Sequence, residues 1–146
     1  MEQREFEKRV TDFVGNLNGA WGKSICGMIR PALLSCSAAE MSLEMAFSIQ
    51  SWELNPGGVV HGGVMATLLD TALGTLTATV SGCMNPTISL NVNYLRPAPG
   101  DGTIVVRAQV TMLGRSIIYT SARAWDSREP DKLVATAEGT YKNHRS

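Results

Sequence analysis

The sequence predicts an α+β domain in which an antiparallel sheet of about five strands wraps around one long central helix, with an extra helix at the N-terminus. Three observations carry that expectation. From about Gly62 to about Val80 the chain contains no proline, and apolar residues recur on nearly every side, which is the pattern of a helix buried all round. Four strand-like segments follow this helix and one precedes it, separated by turn-rich connections such as "RPAPGDG", "LGR" and "DSREPD". Connections that short join antiparallel neighbours. An all-apolar helix and a half-buried sheet satisfy each other when the helix lies on the inner face of the sheet.

The elements read in order as follows. Phe6, Val10, Phe13, Val14 and Leu17 recur at helical spacing, with Glu5, Lys8, Arg9 and Asp12 on the other faces. They predict an amphipathic helix over about residues 1–20, ending near "GNLNG". "GMIRPALLSCSAAE" reads as a loop leading into a strand. In "SLEMAFSIQSWEL", Leu43, Met45, Phe47 and Ile49 alternate with Glu44, Ala46, Ser48 and Gln50, a strand with one buried face. "NPGG" breaks the chain before the central helix, and "SGCMNP" turns it afterwards. "TISLNVNYL", "TIVVRAQVTM", "SIIYTSARAW" and "LVATAEGTYK" are the four later strands. The order helix, strand, long helix, four strands resembles that of the hotdog fold.

Composition bounds the rest. With 146 residues, 44% apolar and 18% charged, residues 1–146 form one domain with its own core. A polar tail over 142–146, which includes His144, is expected to be flexible. The formal net charge is zero, so no basic field is available for nucleic acid. No apolar stretch is expected to span a bilayer, and the charged, helix-like start "MEQREFEKRV" does not read as a signal peptide. Three cysteines without CxxC spacing, Cys26, Cys36 and Cys83, predict reduced thiols in a cytoplasmic protein and no metal site.

One residue of the central helix stands out. Asp70 is its only charged side chain, and its neighbours three and four positions away are Ala66, Thr67, Leu73 and Gly74. No lysine or arginine supports it at helical spacing, and a buried carboxylate is costly unless paired. It either faces solvent like many helix carboxylates or does chemistry. At the helix start, His61-Gly62-Gly63 presents free backbone N–H groups suited to negative charge, and His61 reads equally as a capping residue. Gly62 and Asp70 are eight residues apart, about 12 Å of helix, too far to grip one reacting group within a chain. Two antiparallel copies of the helix across a dimer axis would bring the start of one to the middle of the other. No nucleophile elbow, phosphate loop or zinc motif is present.

The stretch "NPGGVVHGGVMATLLDTA" resembles the signature of hotdog-fold acyl-CoA thioesterases of the phenylacetate-pathway group, in which an asparagine precedes HGG by six residues and an aspartate follows the histidine by nine. Asn55, His61-Gly62-Gly63 and Asp70 match it, and the likeness continues through the four later strands. The resemblance implies hydrolysis of acyl-CoA to free acid and coenzyme A, with no cofactor beyond the substrate itself. It implies that Gly62 N–H binds the thioester carbonyl oxygen near Asn55, that Asp70 of a partner subunit is base or nucleophile, and that Thr87 positions the water. His61 would line the site and fix the turn. Gly63 would contact the substrate, Met65, Leu69 and Leu73 would line the acyl pocket, and Arg96 and Arg115 would contact the phosphates of coenzyme A. A homodimer at least, and commonly a homotetramer, is implied. Two other readings stay open, an acyl-thioester dehydratase or hydratase on the same fold and a non-catalytic acyl-CoA binding protein.

Overall fold

In the computed structural model, which describes residues 1–145, helix α1 (Gln3–Asn18) leads through a short α2 (Ile25–Met28) into strands β1 (Pro31–Ser37) and β2 (Ser42–Ser48). A single 3-10 turn, Ser51–Glu53, precedes the central helix α3 (Gly62–Ser81). Strands β3 (Thr87–Tyr94), β4 (Thr103–Leu113), β5 (Ile117–Asp126) and β6 (Leu133–Lys142) complete the chain. The six strands form one antiparallel sheet in the order β1-β2-β4-β5-β6-β3.

The sheet has one strand more than the sequence predicts. "PALLSCS", expected as a loop, is β1, paired to β2 with an irregularity between Leu33 and Ser35. Its residues lack clean alternation because it is an edge strand whose burial is patchy, so the period-two signal is weak there.

Helix α3 is the core of the molecule. Met65, Leu68, Leu69, Leu73 and Leu76 are buried on it and meet Leu43, Met45, Phe47, Ile104, Val106 and Ile118 from the sheet. At about 25 cal/mol per Å² of apolar surface removed from water, this contact is the principal stabilising term. Helix α1 covers the remaining side with Phe6, Val10, Val14 and Leu17, and the Arg9 guanidinium reaches the Thr79 carbonyl near the C-terminal end of α3. By length and hydropathy α3 does match a membrane span, with 20 residues and a mean hydropathy of 1.3, correcting the expectation that no stretch would. The match arises because the sheet wraps the helix and buries 67% of that window.

The C-terminal tail makes hydrogen bonds to neighbouring segments. The Asn143 side chain donates to the Gly114 carbonyl and its backbone N–H to that of Ser116, while His144 N–H donates to Asn85 Oδ1. Ser146 lies outside the described residues.

Candidate active site

Asp70 has no partner on its own helix because its partners come from the sheet. Thr87 Oγ1 donates to Asp70 Oδ1 at 2.8 Å, and the Tyr141 hydroxyl donates to the same oxygen at 2.7 Å. Oδ2 accepts no hydrogen bond among the described residues. The carboxylate is half-buried, Thr87 is exposed and the Tyr141 ring is 1% exposed. Burial and the neighbouring Asp70 charge push the Tyr141 phenol well above its ordinary range, so it stays protonated and serves as a donor.

Thr87 reaches this place through a backbone irregularity. Along β3, Leu90, Val92 and Tyr94 pair with the inward residues Gly139, Ala137 and Ala135. Ser89, Asn91 and Asn93 face outward opposite Thr140, Glu138 and Thr136, and the Ser89 and Thr140 hydroxyls hydrogen-bond to each other at 2.7 Å. Strict alternation would put Thr87 outward with them. A register shift between Thr87 and Ser89 instead pairs Thr87 with the inward Tyr141. The extra residue, Ile88, is a bulge that re-aims the threonine, a familiar use of bulges beside functional sites.

The sequence alone does not single out Tyr141. The available signal is its position: Ala135, Ala137 and Gly139 precede it on the inward face of β6, so a phenol inside the sheet needs a polar partner. Gly139 is part of the arrangement, because a Cβ there would lie 2.9 Å from Tyr141 Cε2 and 3.1 Å from Thr120 Oγ1. The tyrosine ring occupies the space a side chain at 139 would need.

The start of α3 is built from the preceding loop. Asn55 Oδ1 accepts from Gly57 N–H at 2.9 Å and Val59 N–H at 3.3 Å, closing the turn. Gly58 takes the left-handed φ of +80° that a glycine tolerates. The loop is seated from below by Glu53, which is fully buried, caps the 3-10 turn through Gln50, and accepts His61 N–H on its backbone carbonyl. His61 is the N-cap of α3: Nδ1 accepts Gly63 N–H at 2.9 Å. That bond uses the N–H of Gly63 and leaves the N–H of Gly62 without an internal partner among the described residues. The Tyr94 hydroxyl donates to the Gly62 carbonyl at 2.6 Å, locking the first turn against β3.

A groove of about 360 Å³ opens beside this helix start, lined by Asn55, Gly62, Met65, Tyr94 and Arg96 among others. Arg96 is oriented within it by donating to the Leu133 carbonyl. Arg115 is elsewhere. It lies in the β4–β5 turn beside Gly114, which Asn143 ties to the end of β6, whereas Arg96 follows the far end of β3. The two arginines therefore flank opposite ends of β3 within one chain. Leu69 and Leu73, expected to line the acyl pocket, are fully buried. They face the sheet, and the open face of α3 carries Ala66, Thr67, Asp70 and Gly74 instead.

Two clusters of candidate residues thus exist on the chain, the Asp70–Thr87–Tyr141 group and the Asn55–His61–Gly62 helix start, and the structure does not bring them together within the chain. Both open beside β3, an edge strand whose other side is unpaired. β3 exposes Ile88 at 54% and Tyr94 at 56%, and Leu95 follows at 51%. β3 is thus an unpaired edge with exposed apolar side chains at each end and polar ones between them.

Residues 57–137 match the family model described as the thioesterase superfamily. A Halobacterium salinarum protein named as an esterase is 37% identical over 122 residues, covering 75% of this chain and 77% of its own. Human acyl-coenzyme A thioesterase 13 is 28% identical over 113 residues, covering 77% of each chain. Zebrafish thioesterase superfamily member 2 superposes with a TM-score of 0.81 over 92% of this chain and 97% of its own at 19% identity, a likeness of fold.

Proposed function

This chain belongs to the thioesterase superfamily and is a thioester hydrolase, and from that premise we propose that its substrates are acyl-CoA thioesters cleaved at a site shared by two protomers. The observation that carries the proposal is Asp70, fixed by two hydroxyl donors on Oδ1 with Oδ2 open, beside an unpaired strand edge. The acyl-CoA class follows the similarity to human acyl-coenzyme A thioesterase 13.

In the proposed reaction, Asp70 Oδ2 takes a proton from water as the water oxygen attacks the thioester carbonyl carbon. Negative charge moves to the carbonyl oxygen, which accepts from Gly62 N–H of the other protomer at the start of its α3. The C–S bond then breaks, the acid departs, and the proton on Asp70 passes to the coenzyme A sulfur. A positioned base contributes about 10²–10⁴ in rate and one oxyanion donor about 10²–10³. Asn55 and His61 hold the loop and the cap that aim Gly62. Because His61 Nδ1 is spent on Gly63, the histidine is occupied in structure, which speaks for hydrolysis over a histidine-based dehydratase. Water and coenzyme A are parts of the reaction, so no separate cofactor is required. Arg96 and Arg115 would meet the phosphates of coenzyme A only if a dimer brings opposite ends of two β3 strands together. A pair of such dimers forming a tetramer, and a cytoplasmic location, belong to the same proposal.

The test is release of free thiol from a panel of aromatic and aliphatic acyl-CoAs, with Asp70→Asn as control. Rapid release by the parent and a loss of about 10²-fold or more in the variant supports the mechanism. Equal turnover by both overturns it, and binding of acyl-CoA without turnover by either would identify a binding protein.

A further inference from the structure

We propose that Tyr141 is a positioning residue of the hydrolytic site, clamping Asp70 by Oδ1 so that Oδ2 is the single oxygen presented to the reacting water. This rests on the reading of Asp70 as the base. The argument begins with the freedom of an aspartate side chain. Its terminal torsion is broad and roughly two-fold, so a half-buried carboxylate on a helix can present either oxygen over a range of angles. A base must lie within hydrogen-bond reach of the proton it takes, about 2.6–3.2 Å between heavy atoms, and a misplacement of about 1 Å can cost about 10²-fold.

Two donors converging on one oxygen remove that freedom. Thr87 alone is a poor clamp, because it is exposed on an edge strand and stands on a bulge. Tyr141 is the rigid half of the pair. Its ring is 1% exposed, lies over Gly139 and projects from β6, which is paired on both sides. The phenol therefore has one place to put its hydroxyl, 2.7 Å from Asp70 Oδ1. The cross-strand pairing of Thr87 with Tyr141 sets the two donors side by side on the inner face. An apolar ring would fill the same volume; the hydroxyl is what the packing does not need. Tyr141 neither accepts nor delivers the transferred proton in this scheme, and acts only through Asp70.

The experiment compares the parent, Tyr141→Phe, Asp70→Asn and the double variant by steady-state thiol release, with thermal melting of each. Tyr141→Phe is expected to lower kcat about ten- to a hundredfold, with KM within about twofold. In the Asp70→Asn background the same change is expected to lower the rate no further, since the two act as a unit. Parental kcat in Tyr141→Phe, or an equal loss in both backgrounds, would overturn the proposal while an inactive Asp70→Asn leaves the reading of the base standing. An active Asp70→Asn overturns both. Should Tyr141→Phe melt below the assay temperature, ring-fluorinated tyrosine at 141 keeps the volume and alters the donor. Stepwise change of kcat with fluorination then supports the role, and constant kcat overturns it.

Discussion

Thr87 and Tyr141 are cross-strand partners on β3 and β6, and their hydroxyls meet on the same oxygen of Asp70. The carboxylate that looks isolated along its helix is thus held by residues 17 and 71 positions away in sequence.

Thr87→Ser keeps the hydroxyl and is expected to hydrolyse within a few-fold of the parent. Thr87→Val keeps the shape and loses the donor. A hydrogen bond to a charged group is worth about 1.5–3 kcal/mol, so kcat should fall about ten- to a hundredfold in Thr87→Val. Steady-state thiol release on both variants checks this, and equal rates in the two would count against a role for the hydroxyl.

His61→Ala removes the cap of α3 by deleting the acceptor of Gly63 N–H. Cap removal typically costs about 1 kcal/mol, a fall in Tm of a few degrees for a domain of this size. Hydrolysis should persist at a reduced rate, and His61→Asn, which can cap, should recover the Tm. Complete loss of turnover in a well-folded His61→Asn would restore the case for a catalytic histidine.

Ile88→Lys places a charge on the exposed edge of β3 and should prevent pairing there. Because the substituted side chain is outside the core, the monomer is expected to keep its far-ultraviolet circular dichroism. Sedimentation should show monomers, and turnover should drop with dimer content. A fully active monomer would rule out a shared site.

Acid stability depends in part on Asp126. The carboxylate is buried, and Arg128, through its side-chain hydrogen bonds, holds it below the ordinary carboxylate range; Arg128 also bonds Asp101. A carboxylate depressed in the folded state binds fewer protons than in the unfolded chain. Its contribution is present above the unfolded value of about 4 and is lost as pH falls through the folded value. Asp126→Asn should therefore be less stable than the parent near neutral pH, with the difference shrinking below about pH 4. Denaturant titrations across that range check the sign; a difference that does not depend on pH would exclude the ion pair as its origin.

Much of the fold was legible because its signals are local. The unbroken apolar run of α3 and the alternation of β2, β4, β5 and β6 each report burial of a continuous element. β1 was not, because an edge strand with patchy burial has little alternation to read. In the site, Asp70 was visible as a charge in an apolar helix, and His61 and Gly62 by their place at its start. Tyr141 was hidden, since a tyrosine at an inward position of a strand looks like core until its hydroxyl is seen to reach another element. The side of α3 on which Leu69 and Leu73 lie was not legible either, since an all-apolar helix gives no clue to which side meets the sheet. Arg96 and Arg115 could be placed at strand ends, but which ends coincide is a property of the assembly.

The bulge at Ile88 has a bearing on how such a chain changes over generations. Insertions and deletions are usually harmless where they fall in loops and ruinous where they fall in strands. Here the bulge absorbs one supernumerary residue in a strand, so that the Thr87 hydroxyl still points to the carboxylate and not to the outer face. Regular pairing with the residue retained would set Ile88 opposite Tyr141 and turn Thr87 to the outer face, whereas deleting Ile88 would leave Thr87 opposite Tyr141 in unbroken register. A lineage could therefore lose this codon and keep the inward threonine, without passing through any change in the core.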